Sequence, residues 1–121
     1  MPATYPKKPV EKLTDTSVVM AALGSTTRQR IIMLFEERGK LNIKEIADRF
    51  NLSRTAVVHH IGVLQEARIM RGERIGKEMV LDVDWKLIAR ALRDMLDYVT
   101  PLASRDQGSV ALPQLTGGLR F

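Results

Sequence analysis

The sequence predicts a mainly α-helical fold with one small β-hairpin, and three observations favour it. Aromatic residues make up only 5% of the 121 residues, so the apolar content comes mainly from aliphatic side chains, which suit helices packed on helices. Apolar residues recur at spacings of three and four along most of the middle of the chain. Strand-like alternation is confined to one stretch near residues 79–83. Together these patterns predict about five helices and a hairpin.

Composition restricts the class of protein further. The chain is 45% hydrophobic and 27% charged, which is typical of a globular domain and excludes general disorder. It has no cysteine, which excludes disulfides and thiolate metal sites, and its two histidines are too few for a typical zinc site. No apolar run approaches the roughly 20 residues that span a bilayer, so we expect a soluble, cytoplasmic protein with no membrane partner. The net charge of +5 suits a polyanionic partner.

The chain divides into one domain and two irregular ends. Residues 1–13 contain three prolines and the lysines Lys7, Lys8 and Lys12, which predicts a flexible basic arm, either solvated or in contact with phosphate. Residues 14–100 form one domain, because a chain of this length is too short for two comfortable cores. Residues 101–121 mix Pro, Gly and Ser with apolar residues that show no period, so we expect an irregular or disordered tail.

The first two helices meet at a corner marked by Gly24. The first begins near Thr14, with Thr14 or Thr16 as its N-cap, and carries an apolar face of Val18, Val19, Ala22 and Leu23. The second is capped within residues 25–27 and ends after Arg38 at Gly39.

The next two helices have the outline of a helix-turn-helix. Asn42 and Glu45 have the spacing of a capping box, which opens a third helix through Phe50. Asn51 suits a turn, and Ser53 caps a fourth helix that runs to about residue 67.

A hairpin and one long helix complete the predicted domain. The β-prone stretches 69–75 and 78–83 are separated by Gly76 and Lys77. Asp84 caps the last helix, which Pro101 stops at Thr100. An apolar stripe follows this helix: Trp85, Ile88, Leu92, Met95, Leu96 and Val99.

The outward face of the fourth helix is the candidate functional surface. If Val57, Ile61 and Leu64 face the core, the helical period places the opposite side in the position from which a recognition helix contacts the major groove. Between residues 53 and 77 there are five Lys or Arg and two Glu, a local balance of +3. The candidate DNA contacts are Ser53, Arg54, Thr55, Val58 and His59 on the helix, with Arg71, Arg74 and Lys77 in the hairpin.

The chemistry of these residues suits DNA. Arg54 can pair with guanine in bidentate fashion, Thr55 and His59 can bond base edges or phosphate, and Val58 can contact a thymine methyl group. Ser53 and the helix N-terminus can hold a phosphate. The basic hairpin residues suit a neighbouring minor groove or a row of phosphates. His60 lies nearer the core side, so we expect a hydrogen-bonded structural histidine.

Three segments of the chain are distinctive: LGSTTRQRIIMLF near the start, LSRTAVVHHIGVLQEARI over the fourth helix and RIGKEMVLDV over the hairpin. Together they resemble the ArsR family of bacterial winged helix-turn-helix repressors. The resemblance implies a homodimer that contacts a pseudo-palindrome with two recognition helices. The dimer interface it implies combines the first and last helices: Val18, Val19, Ala22, Trp85, Ile88, Leu92, Met95, Leu96 and Val99.

The sequence departs from that family at its metal-sensing positions. The cysteines of the third helix and the histidines of the last helix are absent, so we expect no metal and no cofactor. The carboxylates Asp82, Asp84, Asp94 and Asp97 favour a solvated surface over a hard-ion site. Val58 stands where many relatives carry serine, and Arg68 where they carry glycine. The inducing signal stays open between a small organic ligand, a hard ion, a partner protein and none.

These observations predict a sequence-specific DNA-binding transcriptional regulator, with repression of a palindromic operator as the expected action. The alternative is a winged helix that binds another protein and has no DNA function, which an apolar outward face on the fourth helix would favour. We do not expect an enzyme, since the sequence shows no pairing of nucleophile and base and no glycine-rich phosphate loop.

Overall fold

A computed structural model describes residues 14–105 of the chain, and the predictions for residues 1–13 and 106–121 lie outside that part. The described residues form helices around a small antiparallel sheet. In chain order the elements are α1 (Thr14–Ala22), α2 (Thr26–Met33), α3 (Phe35–Arg38), β1 (Leu41–Asn42), α4 (Ile43–Arg49), α5 (Arg54–Glu66), β2 (Met70–Ile75), β3 (Glu78–Val83) and α6 (Trp85–Arg105).

The five predicted helices correspond to these six because the second is interrupted at Leu34. There the Leu34 amide donates to the Ile31 carbonyl oxygen at 3.1 Å, a tighter turn than an α-helix makes. One further turn, α3, follows and ends at Gly39, whose φ of 77° favours glycine.

Four predicted helix starts carry the side-chain caps that the sequence indicates. The Ser25 hydroxyl accepts from the Arg28 amide at 3.2 Å, and the Asp84 carboxylate accepts from the amide of residue 87 at 3.0 Å. Asn42 and Glu45 form a complete capping box at 2.8 and 3.0 Å. Ser53 caps α5. Thr16, one of the two N-caps proposed for α1, is instead buried inside that helix.

The sheet contains one strand more than the predicted hairpin. Its order is β1-β3-β2, and Leu41 in the added strand β1 pairs with Leu81. β1 is only two residues long and therefore shows no sequence periodicity, so the sequence could not predict it. In the β2–β3 hairpin, Ile75 pairs with Glu78 across Gly76 and Lys77. Gly76 has a φ of 64°, as the first central residue of a type II′ turn requires.

α5 ends in a Schellman motif with an unusual residue in its left-handed position. The amide of Ile69 donates to the Leu64 carbonyl oxygen at 3.0 Å, and the amide of Arg68 donates to that of Gln65 at 2.9 Å. Arg68 has a φ of 64° and is the one non-glycine residue with a positive φ between residues 14 and 105. Arginine therefore occupies a position that favours glycine.

The core lies between α1, α6, the helix-turn-helix and the base of the hairpin. Its largest fully buried side chains include Phe35, Ile46 and Leu64. α1 packs against α6, and α5 packs against β2. β2 approaches α5 closely at Gly72, where a Cβ would lie 3.0 Å from the side-chain Nε2 of Gln65.

Two predictions made from the sequence are wrong. Val19 and Ala22 were expected at a dimer interface, but they are 2% and 4% exposed and belong to the protomer's own core. The last helix was expected to stop at Thr100, but it continues through Pro101 to Arg105. A proline inside a helix removes one backbone donor and crowds the carbonyl of the preceding turn, but that turn is exposed here, so the freed carbonyl oxygen is open to solvent. Of the helices in residues 14–105, none combines the length and hydropathy needed to cross a bilayer.

Candidate nucleic-acid interface

The packing of α5 determines which of its side chains face outward. Val57, Ile61 and Leu64 are buried, as the helical period predicts. The opposite side presents exposed residues, and Val58 is the one large apolar side chain among them at 46% exposure. The exposed residues on this face are Arg54, Thr55, Val58 and His59. The face is therefore mainly polar, which disfavours the alternative of an apolar protein-binding helix.

The N-terminus of α5 carries positive potential. The Ser53 hydroxyl accepts from the Ala56 amide at 3.1 Å and keeps its own proton free to donate. No acidic residue stands in the first turn, and Arg54 is the first helical residue. Because the helix dipole is positive at this end, an anion is favoured here.

Residues of β1, α4, α5 and the hairpin surround a concave surface beside this N-terminus, which we call the basic groove. Its volume is about 370 Å³. Four cations and one carboxylate lie among its lining residues: Lys44 of α4, Arg54 of α5, Arg74, Lys77 and Glu78 of the hairpin. The groove therefore joins the recognition helix to the hairpin in one positively charged surface.

Sequence reasoning missed Lys44 as a member of this surface. Lys44 is the second residue of α4, and its Nζ lies 3.7 Å from the Asp48 carboxylate one turn along. Both side chains are strongly exposed. Such a pair contributes little to stability, so it does not prevent Lys44 from contacting another anion. The available signal was its place in the first turn of the helix that precedes the recognition helix.

The two faces of the hairpin separate the basic residues that sequence reasoning grouped together. Side chains alternate along β2, so Arg74 shares the face of Met70 and Gly72, whereas Arg71 lies on the other face. Arg71 pairs with Asp82 directly across the sheet, with 3.6 Å between guanidinium and carboxylate. The structure thus brings Arg74 and Lys77 to the basic groove, and Arg71 is not among its lining residues.

A second residue absent from the sequence prediction, Arg28, holds α5 from behind. Its Nε donates to the Ala22 carbonyl oxygen at 2.6 Å, and its Nη1 donates to Nδ1 of His60 at 3.3 Å. His60 is partly buried, as expected of a structural histidine. Burial, the Arg28 charge and His59 all lower the pKa of His60, so its imidazole is neutral at neutral pH.

α6 presents an apolar surface that nothing in residues 14–105 covers. Ala91 is the one buried residue among the described side chains of this helix. Of the predicted stripe, Ile88 and Met95 are partly buried. Its exposed members are joined by two residues that the prediction left out, and together they are Trp85, Leu92, Leu96, Tyr98, Val99 and Leu102.

Comparison with known proteins places this architecture. The family described as "HTH domain" matches residues 26–74. The uncharacterized HTH-type transcriptional regulator YuzN of Bacillus subtilis is 32% identical over 73 residues, which are 55% of this chain and 79% of YuzN. The chain belongs to the helix-turn-helix transcriptional regulators. The transcriptional repressor SdpR of the same organism is 25% identical to this regulator over 81 residues, which are 67% of the chain and 89% of SdpR.

Solved structures give the fold of this regulator. An ArsR-like transcriptional regulator from Rhodococcus sp. RHA1 matches with a TM-score of 0.68 at 21% identity, covering 85% of this chain and 95% of that one. A homodimeric winged helix-turn-helix DNA-binding domain from Mycobacterium bovis matches with a TM-score of 0.61 at 14% identity, covering 89% and 94%. The fold is the winged helix-turn-helix of the ArsR type, with β2 and β3 as its wing.

The predicted carboxylates of the last helix region have structural roles or stay apart. Asp84 caps α6, and Asp82 pairs with Arg71. Within residues 14–105, no three His, Cys, Asp or Glu side chains are grouped so that they would hold a metal ion.

Proposed function

We propose that this regulator is a transcriptional repressor that binds a palindromic operator as a homodimer. Each protomer places α5 in the major groove and its wing on the flanking backbone. Such a role puts the protein with the chromosome, in the cytoplasm of a bacterium.

The observation that carries the proposal is the basic groove beside the exposed face of α5. Arg54 lies at the junction of the two surfaces, and Arg74 and Lys77 line the groove from the wing. A duplex seated on α5 brings its phosphates against these cations, and the released counterions make binding strongly dependent on salt.

The proposed DNA-binding residues fall into two groups, those that contact bases and those that contact the DNA backbone. Arg54, Thr55, Val58 and His59 point outward from α5 and supply base contacts. Ser53 and the α5 N-terminus hold a phosphate, and the wing residues Arg74 and Lys77 hold the backbone. Arg71 has a smaller part, because it lies on the other face of the wing and does not line the basic groove.

The homodimer is supported by the uncovered stripe of α6 and by the homodimeric domain from Mycobacterium bovis. A twofold dimer built on α6 uses the same surface of both protomers. It sets two recognition helices about one helical turn of DNA apart, roughly 10 bp between half-site centres. A small-molecule effector is one candidate for the inducing signal, beside a hard ion, a partner protein and none.

The test is binding to DNA from the protein's own promoter region, against a shuffled duplex of equal length and at several salt concentrations. Arg54→Ala and His59→Ala should reduce the preference for the specific duplex, whereas Lys77→Ala should weaken binding to both duplexes alike. Absent or salt-independent binding would refute the proposed function. Equal effects from all three variants would refute the division between base and backbone contacts.

A further inference from the structure

Arg28 connects two parts of the molecule that have different tasks. It stands in the first turn of α2, just after the corner with α1. One guanidinium nitrogen donates to Ala22, the last residue of α1, and another donates to His60 in the middle of α5. A single planar, charged side chain therefore fixes the distance between α1 and the recognition helix.

The two ends of this connection belong to the proposed dimer and to the proposed DNA contact. α1 packs against α6, whose uncovered stripe is the proposed dimer surface. α5 carries the outward face, and His59 on that face is the chain neighbour of His60, with 5.5 Å between the two ring centroids. A displacement at His60 therefore moves a side chain that contacts DNA.

We propose that Arg28 is a positioning residue that holds the recognition helix against α1, and that this link opens when His60 binds a proton, so that DNA affinity falls in mild acid. The inference rests on the proposed function, since it needs a specific duplex to be bound. It adds to that function a physical connection between dimer and DNA contact and a dependence on pH.

The chemistry of the hydrogen bond between Arg28 and His60 explains why protonation of His60 would open it. A guanidinium only donates, so Nδ1 of His60 must offer a lone pair, and the ring proton sits on Nε2. Protonation at Nδ1 removes the acceptor and sets an imidazolium against a guanidinium. The charged and titratable groups that act on His60 are Arg28 from α2 and His59 from α5. None of them is an anion that would compensate the new charge.

The position of α5 matters because base contacts are sensitive to small displacements. Functional side chains must be held within about 0.5 Å of the productive geometry by the residues behind them. Arg28 is such a support, because it bonds Ala22 and His60 behind the helix and so acts on the helix that carries the DNA-facing side chains.

Three variants distinguish the positioning role of Arg28 from a general effect of positive charge on DNA binding. Arg28→Gln should weaken binding to the specific duplex by about tenfold, equivalent to ~1.4 kcal/mol. Arg28→Lys keeps the positive charge but loses the guanidinium that donates to both Ala22 and His60, so it should weaken binding as well. Arg30→Gln is the matched control, because Arg30 is exposed on the same helix and its loss changes the net charge equally. Circular dichroism on each variant verifies the fold, and equal affinities for Arg28→Gln and Arg30→Gln would overturn the positioning role.

A fourth variant tests whether protonation of His60 lowers the affinity for DNA. His60→Asn keeps an acceptor close to the place of Nδ1 but does not titrate. Between about pH 7.5 and about pH 5.5 the unaltered protein should lose affinity for its duplex, and His60→Asn should lose less. Both proteins keep His59, so the difference between their profiles reports on His60. Parallel profiles would overturn the pH dependence.

An NMR titration of the His60 ring supplies a measurement that needs no DNA. Arg28→Gln removes a nearby positive charge, so the pKa of His60 should rise in that variant and stay unchanged in Arg30→Gln. If the protein binds no specific duplex at any pH, the proposed function fails. If it binds while the His60 pKa is the same in both variants, the proposed function stands and the link is refuted.

Discussion

Leu96 offers the sharpest test of the dimer, because it is the most exposed large apolar residue of α6 at 64%. Burying a leucine side chain completely stabilises by ~2.5 kcal/mol, so covering the exposed part stabilises by ~1.6 kcal/mol per copy. A twofold interface covers it twice, which gives ~3.2 kcal/mol. Leu96→Ala keeps only the Cβ of the side chain and should remove about three quarters of that, ~2.4 kcal/mol. The dimer dissociation constant should then rise ~50-fold.

Met33→Ala is the matched control for this experiment. Met33 is exposed to nearly the same extent, 63%, but lies at the end of α2 and outside the stripe. Sedimentation equilibrium over a range of protein concentrations measures the dissociation constants of both variants and of the unaltered protein. If Met33→Ala dissociates the dimer as much as Leu96→Ala does, or if neither has an effect, α6 is not the interface and the area argument fails.

Three further predictions concern the turn after α5, the wing and the stability at low pH. Arg68→Gly should raise the free energy of unfolding by about 0.5–1 kcal/mol, because glycine adopts a φ of 64° without strain; urea denaturation measures it, and a loss of stability contradicts the reasoning. Arg74→Ala should weaken DNA binding more than Arg71→Ala, since only Arg74 lines the basic groove; equal losses in a binding titration would contradict this division. The pKa of His60 is lower in the folded protein than in the unfolded chain, so stability is complete above about pH 6.5 and falls as the pH drops. Urea denaturation at about pH 7.5 and about pH 5.5 should show a smaller loss in His60→Asn, and an equal loss would exclude His60 as the cause.

The parts of the fold that depend on neighbouring residues were predictable from the sequence. Asn42 and Glu45 lie three residues apart and cap α4 by themselves, and Ser53 and Asp84 do the same for α5 and α6. The outward face of α5 was predictable from the helical period of its apolar residues, and the burial of Val57, Ile61 and Leu64 agrees with that period. Local hydrogen bonds and amphipathic periodicity need no knowledge of distant residues, so the sequence carries them openly.

The parts that depend on distant residues were not predictable. β1 exists because Leu41 meets Leu81, and Arg28 supports α5 through a residue 32 positions away. Neither contact leaves a local pattern. The separation of Arg71 from Arg74 is different, since strand alternation is a local pattern and by itself places them on opposite faces. The true end of α6 was missed because Pro101 was given more weight than the helix around it.

The wing is anchored at its base and free at its tip. Met70, Leu81 and Val83 are buried where the hairpin leaves the core, whereas Ile75, Lys77 and the turn between them are exposed. Residues at the tip are thus exempt from the packing constraints that hold the rest of the domain. Over evolutionary time the tip can change length and charge while the core stays intact, so descendants of this fold can acquire a stronger or weaker hold on the DNA backbone through a segment whose substitution leaves folding almost untouched.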